Sequence, residues 1–259
     1  MCIRTRDDFG CVGYHPDMND RPTALVTGGS KRVGAAIVRT LATSGFDVLF
    51  THRNSAAEAS ALGQSLESTG ARVKILQVDL ESPDAVALLV EWTQSQSSRL
   101  DVLVNNASLY LPDRAGEYAE LSRRHEQVNC IAPVALTRSL APLLKASRGH
   151  VVNMIDITAA RPMPSYLAYC TSKAALASAT LALARELAPE VTVNGISPGV
   201  VDWPDEMPLD EREAYLIKVP LKRAGTPDDV ARLVRFLVIE GTYITGAIIP
   251  LDGGRSIVP

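Results

Sequence analysis

The sequence lacks several features that mark whole classes of protein. Its four cysteines form no Cys-x-x-Cys pair, so neither a zinc site nor a disulfide framework is indicated, and a reducing cytoplasm fits the chain best. No apolar run approaches the roughly 18 residues of a membrane helix. A formal charge of −3 provides no basic surface for nucleic acid. We therefore expect no metal, membrane or nucleic-acid partner.

The first 21 residues differ in composition from the rest of the chain. They mix charges, glycine, proline and histidine, and they lack the apolar core of a signal peptide. We expect a flexible arm at 1–21, followed by one domain at 22–259, since 46% apolar residues can build a full core. Met18, a few residues before the first predicted strand, is a candidate natural start.

From residue 23 onward, short β-branched apolar runs alternate with segments of helical period. This alternation predicts βαβ units on a parallel sheet. The predicted strands are 23–27, 47–50, 73–78, 102–105, 151–155, 192–196 and 247–251. The predicted helices lie around 33–44, 55–69, 83–97, 121–145, 166–188 and 227–239. We therefore expect an α/β fold of Rossmann type: a doubly wound, parallel, seven-stranded sheet with helices on both faces.

The segment 199–224 interrupts this rhythm with several prolines around Trp203 and Met207. A loop of that length inside a compact domain is usually functional. It is predicted to be a substrate lid. A surface insertion that packs on itself is the alternative.

A glycine-rich turn, Thr27 to Gly34 (TGGSKRVG), joins the first strand to the first helix. Glycines let backbone N–H groups approach a pyrophosphate at the positive end of a helix. The usual pattern, T-G-x-x-x-G-x-G, has glycine where this chain has Arg32. The residues of the turn predicted to bind the cofactor are Gly28, Ser30, Lys31, Arg32, Val33 and Gly34.

The stretch after the second strand predicts which dinucleotide binds. An NAD enzyme would place an acid there for the ribose hydroxyls, whereas this chain has His52, Arg53, Asn54 and Ser55. Arg53 is a planar cation suited to a 2′-phosphate, so NADP(H) is the predicted cofactor, and Asp79 is placed to accept from the adenine amine. The alternative is that Arg53 is a solvated residue at the end of a strand.

Together with the glycine turn, several further motifs resemble the short-chain dehydrogenase/reductase family across 23–259. They are Asn105-Asn106-Ala107, Asn129, Tyr169-x-x-x-Lys173, Asn194 with Ser197-Pro198-Gly199, and Leu251-Asp252-Gly253-Gly254. On a helix, Tyr169 and Lys173 share a face, and a lysine ammonium lowers the pKa of a tyrosine. The resemblance implies that Tyr169 donates a proton, helped by Lys173, and that Asn129 completes a proton relay. It implies further cofactor contacts from Leu80, Asn106, Ala107, Ser108, Tyr169, Lys173, Pro198, Gly199 and Val200.

Within that family the chain is similar to the pteridine reductases and bacterial dihydromonapterin reductases. The similarity is carried by Arg32 in the glycine turn, His52-Arg53, Asn106-Ala-Ser108-Leu-Tyr110, Asn153-Met-Ile-Asp156, Met207-Pro208 and Tyr243-Ile-Thr-Gly246. Asp156 stands where carbonyl reducers have a serine. An acid there accepts from the N–H groups of a pterin or helps to deliver a proton.

The resemblance implies reduction of a dihydropterin, namely dihydrobiopterin, dihydromonapterin or dihydrofolate, by a homotetramer. Asp156 and Tyr169 would serve the protonation, Tyr110 would stack the pterin, and Ser108 would bind it. Arg32 would reach both ligands, and Trp203 and Met207 would line the pocket. Plainer roles stay open: Tyr110 as a packing aromatic, Ser108 as a turn cap, Arg32 as a phosphate clamp alone.

Two other functions stay open. The first is reduction of a carbonyl, such as a ketoacyl thioester or a sugar ketone, which would need Asp156 protonated or replaced by Thr158. The second is a catalytically silent homologue that senses NADPH.

Overall fold

A computed structural model describes residues 21–203 and 207–258. Apart from Arg21, whose guanidinium lies 3.6 Å from the carboxylate of Asp47, the predicted arm lies outside the described residues. The predicted lid is described except for its positions 204–206.

The described part contains one sheet of seven parallel strands, as predicted. The strands are β1 (Thr23–Val26), β2 (Asp47–His52), β3 (Val73–Gln77), β4 (Val102–Asn105), β5 (His150–Met154), β6 (Thr192–Pro198) and β7 (Ile248–Leu251). Their spatial order is β3-β2-β1-β4-β5-β6-β7. The order reverses between β1 and β4, and ligands of open α/β sheets bind at that switch point, beyond the carboxyl ends of the strands.

Helices cover both faces of the sheet, also as predicted. They are α1 (Arg32–Thr43), α2 (Ala56–Ser65), α3 (Ala85–Gln96), α4 (Tyr118–Glu126), α5 (Ala132–Ser139), α6 (Ala141–Ala146), α7 (Leu167–Leu187), α8 (Leu209–Ile217) and α9 (Pro227–Ile239). One apolar core packs α1, α2 and α9 against the sheet. A second packs α3, α5, α6 and α7 against the other face. Successive strand residues point to opposite faces, so Leu25 and Val26 enter different cores.

The stretch predicted at 121–145 is helical almost throughout, but it is divided into several elements. A π-helical turn, Gln127–Ile131, follows α4, and Pro133 and Pro142 lie in the first turns of α5 and α6. Proline has no backbone N–H to donate, so it fits the start of a helix better than its interior. The lid likewise is not all loop, because α8 occupies its second half.

Helix α7 is the one helix in the described ranges long and apolar enough to span a membrane, with a mean hydropathy of 1.2. Half of the most apolar 18-residue segment of this helix is buried inside the domain. The helix carries Tyr169 and Lys173 in its first two turns and packs against β6 and α4. Its apolarity therefore matches a core helix.

Candidate active site

A cleft of about 1260 Å³ lies at the carboxyl edge of the sheet. This volume exceeds the usual range for a single small ligand, roughly 300–1,000 Å³. Most predicted site residues line it: Gly28, Ser30, Lys31, Arg32, Val33, Gly34, His52, Arg53, Asn54, Ser55, Asp79, Leu80, Asn106, Ala107, Ser108, Tyr110, Asp156, Tyr169, Gly199, Val200 and Met207. Four do not, namely Asn129, Lys173, Pro198 and Trp203.

The glycine turn forms a close-packed cradle at the start of α1. Gly28 has a φ of +65°, and a Cβ on Gly34 would lie 2.1 Å from the Gly28 carbonyl oxygen. The side-chain amide of Asn106 donates to the carbonyls of Thr27 (2.9 Å) and Gly28 (3.0 Å) and closes the turn. Nearby, Nδ1 of buried His52 has no hydrogen-bond partner among the described residues. A close-packed, glycine-containing turn at a helix N-terminus, beside this polar atom, fits a dinucleotide.

Arg32 keeps the backbone conformation of the glycine that it replaces. Its φ is +51°, which costs a residue with a side chain about 1–3 kcal/mol. The guanidinium crosses the cleft, donating to the carboxylate of Asp202 and to the carbonyl of Trp203 at 3.1 Å. The cofactor turn and the lid are therefore joined by an ion pair.

At the end of the cleft where adenosine is expected, Arg53 pairs with an acidic residue that is distant from it in the sequence. Its Nη1 lies 3.1 Å from Oε1 of Glu81, which follows β3. Glu81 also accepts from Arg124 of α4, at 2.6 Å and 3.0 Å. Arg53 is thus paired and only half exposed, rather than fully solvated.

The three groups expected to perform the chemistry lie just beyond the end of β5 and in the first two turns of α7. The hydroxyl of Tyr169 donates to Oδ2 of Asp156 at 2.8 Å, and Oδ1 of Asp156 accepts from the Thr158 amide, also at 2.8 Å. The amine of Lys173 donates to the carbonyl of Met154 at 2.8 Å and lies 5.8 Å from the centre of the Tyr169 ring. Asp156 and Tyr169 reach the cleft, while Lys173 lies behind them.

The direction of the Tyr169 pKa differs from the one expected. Burial, the charge of Asp156 and the hydrogen bond to it hold the pKa of Tyr169 well above its ordinary value. The predicted lowering by Lys173 is outweighed, because the ring is buried and its nearest charged group is an anion. Burial also lowers the pKa of Lys173 to about 8. Tyr169 therefore keeps its proton across the physiological range, as a proton donor must.

Asn129 lies in the π-helical turn and is fully buried. Its amide oxygen accepts from the Leu109 amide (2.7 Å) and the Ser108 hydroxyl (3.2 Å). Its amide nitrogen donates to the Leu109 carbonyl and the Ser172 hydroxyl, both at 3.0 Å. These contacts fix the loop after β4, which holds Ser108 at the cleft wall.

Three tyrosines form a cluster at the end of the cleft where the substrate is expected. The rings of Tyr110 and Tyr166 stack with centroids 4.7 Å apart. The ring of Tyr110 meets that of Tyr169 edge to face at 4.8 Å. Tyr110 is still 48% exposed, so it both packs on protein and presents aromatic surface to the cleft.

The described part of the lid packs on itself around Trp203. Its ring meets Tyr215 edge to face at 5.7 Å and lies under the guanidinium of Arg212. The Tyr215 hydroxyl accepts from the amide of Val200 at 3.3 Å. Tyr215 and Met207 line the cleft, while Trp203 supports them.

Several lining residues were not predicted from the sequence, including Arg161, Asp202, Tyr215, Lys218 and Arg255. Nη1 of Arg161 donates to the carbonyls of Arg255 at 2.8 Å, Ser256 at 3.1 Å and Val258. The C-terminal segment therefore forms part of the wall. Arg161 and Asp202 make contacts with residues far away in the sequence, so no local spacing marks them.

Comparison with known proteins places the chain among dinucleotide-dependent reductases. The family model described as enoyl-(acyl carrier protein) reductase matches residues 29–256. Pteridine reductase 1 of Leishmania tarentolae is 34% identical, covering 91% of this chain and 96% of that protein. A 3-oxoacyl-(acyl-carrier-protein) reductase of Chlamydia trachomatis is 31% identical, covering 90% and 97%.

A solved structure is similar as well. The crystal structure of a blue fluorescent protein from a metagenomic library, in complex with NADPH, has a TM-score of 0.82 and 34% identity. The similarity covers 90% of this chain and 97% of that one.

Proposed function

The chain belongs to the short-chain dehydrogenase/reductase family, and we propose that within it the enzyme reduces dihydropterins with NADPH. Bound NADPH supplies a hydride to an imine carbon of the dihydropterin. The protein supplies a proton to the imine nitrogen, which yields the tetrahydropterin. Candidate substrates are dihydrobiopterin, dihydromonapterin and dihydrofolate. The observation that carries the proposal is the carboxylate of Asp156 in the cleft, bonded to Tyr169 at 2.8 Å.

The proposed chemistry divides between two groups that touch the cleft. Tyr169, with its raised pKa, holds the proton that is transferred. Asp156 orients that hydroxyl and, since a carboxylate only accepts hydrogen bonds, suits the N–H groups of a pterin. The Lys173 ammonium stabilises the negative charge that remains when Tyr169 has donated. Asn129 serves this relay by fixing Ser108.

Substrate and cofactor contacts follow from the same cleft. We propose that Tyr110 stacks one face of the pterin and that Ser108 donates to it. Arg32 reaches the cofactor phosphates and the pterin, exchanging its bond to Asp202 for them. Met207 covers the substrate, with Trp203 behind it, so 199–224 acts as a lid. At the far end, Arg53 binds the 2′-phosphate and Asp79 the adenine.

The contribution of Arg53 is tested by its replacement with alanine. Arg53→Ala is expected to raise the KM for NADPH about tenfold or more, because charge-assisted bonds to phosphate are strong, and to leave that for NADH nearly unchanged. Steady-state kinetics with both cofactors measure this. An equal effect on both would contradict a 2′-phosphate contact.

The pH dependence of turnover tests the part played by Lys173. Because burial lowers the pKa of Lys173 to about 8 from 10.5, the ammonium is lost as pH rises through about 8. We expect kcat/KM for the dihydropterin to fall above that pH, while Tyr169 remains protonated. The pH profile of kcat/KM measures it. An alkaline limb near 10.5 would show that the lysine stays charged in the free enzyme.

A second candidate is the reduction of a ketoacyl thioester. It is favoured by the 31% identity to a 3-oxoacyl-(acyl-carrier-protein) reductase and by the Thr158 hydroxyl next to Asp156, which has no hydrogen-bond partner among the described residues. Oxidation of NADPH with dihydrobiopterin, dihydromonapterin, dihydrofolate and acetoacetyl thioester separates the candidates. Turnover of the thioester alone would favour the carbonyl reductase. Tight NADPH binding without turnover of any substrate would favour a sensor.

We also propose a cytoplasmic homotetramer. The helices expected to meet a neighbouring subunit expose large apolar side chains, namely Tyr118 of α4, Ile131 of the π-helical turn, and Leu167 and Leu181 of α7. Such a surface is suited to burial between subunits.

A further inference from the structure

The carboxylate of Glu81 lies between two guanidinium groups at the adenosine end of the cleft. Arg124 binds it through two nitrogens, at 2.6 Å and 3.0 Å, the bidentate geometry that gives strong, directed pairs. Arg53 binds it through one, at 3.1 Å. Both carboxylate oxygens are therefore already engaged by arginine.

Of these three residues, one lines the cleft and the other two do not. Arg53 lines the cleft, whereas Glu81 and Arg124 stand behind it. The Arg53 side chain is 48% exposed, against 23% for Glu81 and 32% for Arg124. An anion held by Arg53 therefore lies beside a carboxylate, whose charge Arg124 offsets from the other side.

We propose that Glu81 and Arg124 set, with opposite signs, how strongly Arg53 selects the 2′-phosphate of NADPH. Glu81 weakens the site, because it repels a phosphate and competes for the same guanidinium. Arg124 strengthens it by drawing the carboxylate away and neutralising it. Both residues determine specificity through Arg53 and touch neither the nicotinamide nor the substrate.

Glu81 also differs in its surroundings from the acid with which an NAD-dependent enzyme binds the ribose hydroxyls. An acid that binds ribose hydroxyls has to face the cleft, whereas Glu81 does not line it and its carboxylate faces two guanidinium groups. Glu81→Gln is therefore not expected to impair the binding of nucleotides that lack the 2′-phosphate.

The test is a double-mutant cycle read by calorimetric titration. The probes are 2′,5′-ADP, which carries the 2′-phosphate, and 5′-AMP, which lacks it. Glu81→Gln should tighten 2′,5′-ADP binding about three- to tenfold, and Arg124→Gln should weaken it by a similar factor. The double variant should bind 2′,5′-ADP as tightly as Glu81→Gln does, because Arg124 acts through the Glu81 carboxylate, and 5′-AMP should bind all four proteins equally. Structural damage from Arg124→Gln would not be reversed by removing the charge of Glu81.

A matched control removes the same charge close by. Glu120→Gln breaks the pair of Glu120 with Arg123, one residue from Arg124, and touches no group of the cleft; its Kd values should match the parent. The opposite shifts should shrink in 0.5 M salt, since exposed charges are screened. If Glu81→Gln leaves the Kd for 2′,5′-ADP unchanged, or weakens both probes, the proposal is overturned.

The inference rests on the proposed contact between Arg53 and the 2′-phosphate, and the two fail differently. If Arg53→Ala leaves the preference for 2′,5′-ADP over 5′-AMP intact, the phosphate contact itself is wrong. If Arg53→Ala abolishes that preference while Glu81→Gln changes nothing, only the tuning by Glu81 and Arg124 is wrong.

Discussion

Replacing Tyr169 with phenylalanine is expected to lower kcat for the dihydropterin by about 10²- to 10⁴-fold, the usual worth of general acid catalysis. The Kd for NADPH should change little. The hydroxyl of Tyr169 makes one side-chain bond, to Asp156, and the ring of phenylalanine fills the same space against Tyr110. Removing the hydroxyl therefore takes away the transferable proton and leaves the packing of the ring intact.

Stopped-flow reduction under single turnover, with NADPH fluorescence for binding, separates these two quantities. If the substitution raises KM and leaves kcat unchanged, Tyr169 contributes to substrate binding instead. A variant with parental kcat would mean that another group, such as Asp156, supplies the proton by itself.

The second large effect is expected at Asp156. Asp156→Ser should lower pterin turnover about 10²-fold or more, with little change in NADPH affinity, because serine offers a hydroxyl donor where the pterin presents N–H groups. The fold should tolerate the change. Asp156 caps the short turn at Ile157–Ala159 by accepting from the Thr158 amide, and serine caps helices equally well.

Asp156→Asn is the matched variant, since it keeps the shape and one acceptor oxygen but loses the charge. Both variants are to be assayed with dihydrobiopterin and with acetoacetyl thioester. If the serine variant reduces dihydropterin at the parental rate, the assignment of Asp156 is wrong. A gain of thioester turnover would place the choice of substrate at this one position.

The sheet was predictable because its determinants are local. Short apolar runs separated by helical periods identify a parallel sheet, and all seven strands were found to within about two residues at their ends. The division of 121–145 into several elements was not, because the π-helical turn at Gln127–Ile131 contains no glycine or proline that would mark it. Asn129 in this turn has buried contacts with the loop after β4.

The site was likewise predictable only where its residues belong to one local motif. Residues within one motif, such as those of the glycine turn or Tyr169 and Lys173, have contacts set by local geometry. The partners of Arg32 and Arg53 do not, since Asp202 and Glu81 stand 170 and 28 residues further along the chain. Packing brings them together, and a single sequence does not encode that proximity in any readable spacing. The direction of the Tyr169 pKa was missed because it is set first by the burial of the ring, which depends on the packing of the whole domain, and then by the charge of Asp156.

The tight turn around Gly34 does not tolerate substitution, whereas other positions along the cleft can be varied by protein engineering. Any side chain at Gly34 would meet the Gly28 carbonyl, so libraries aimed at this turn lose the fold before they change its ligand. The proposed contacts with the adenosine ribose and its phosphate lie instead in surface side chains after β2 and β3. Redesign for the cheaper cofactor NADH therefore belongs at those exposed charges, with the turn left untouched.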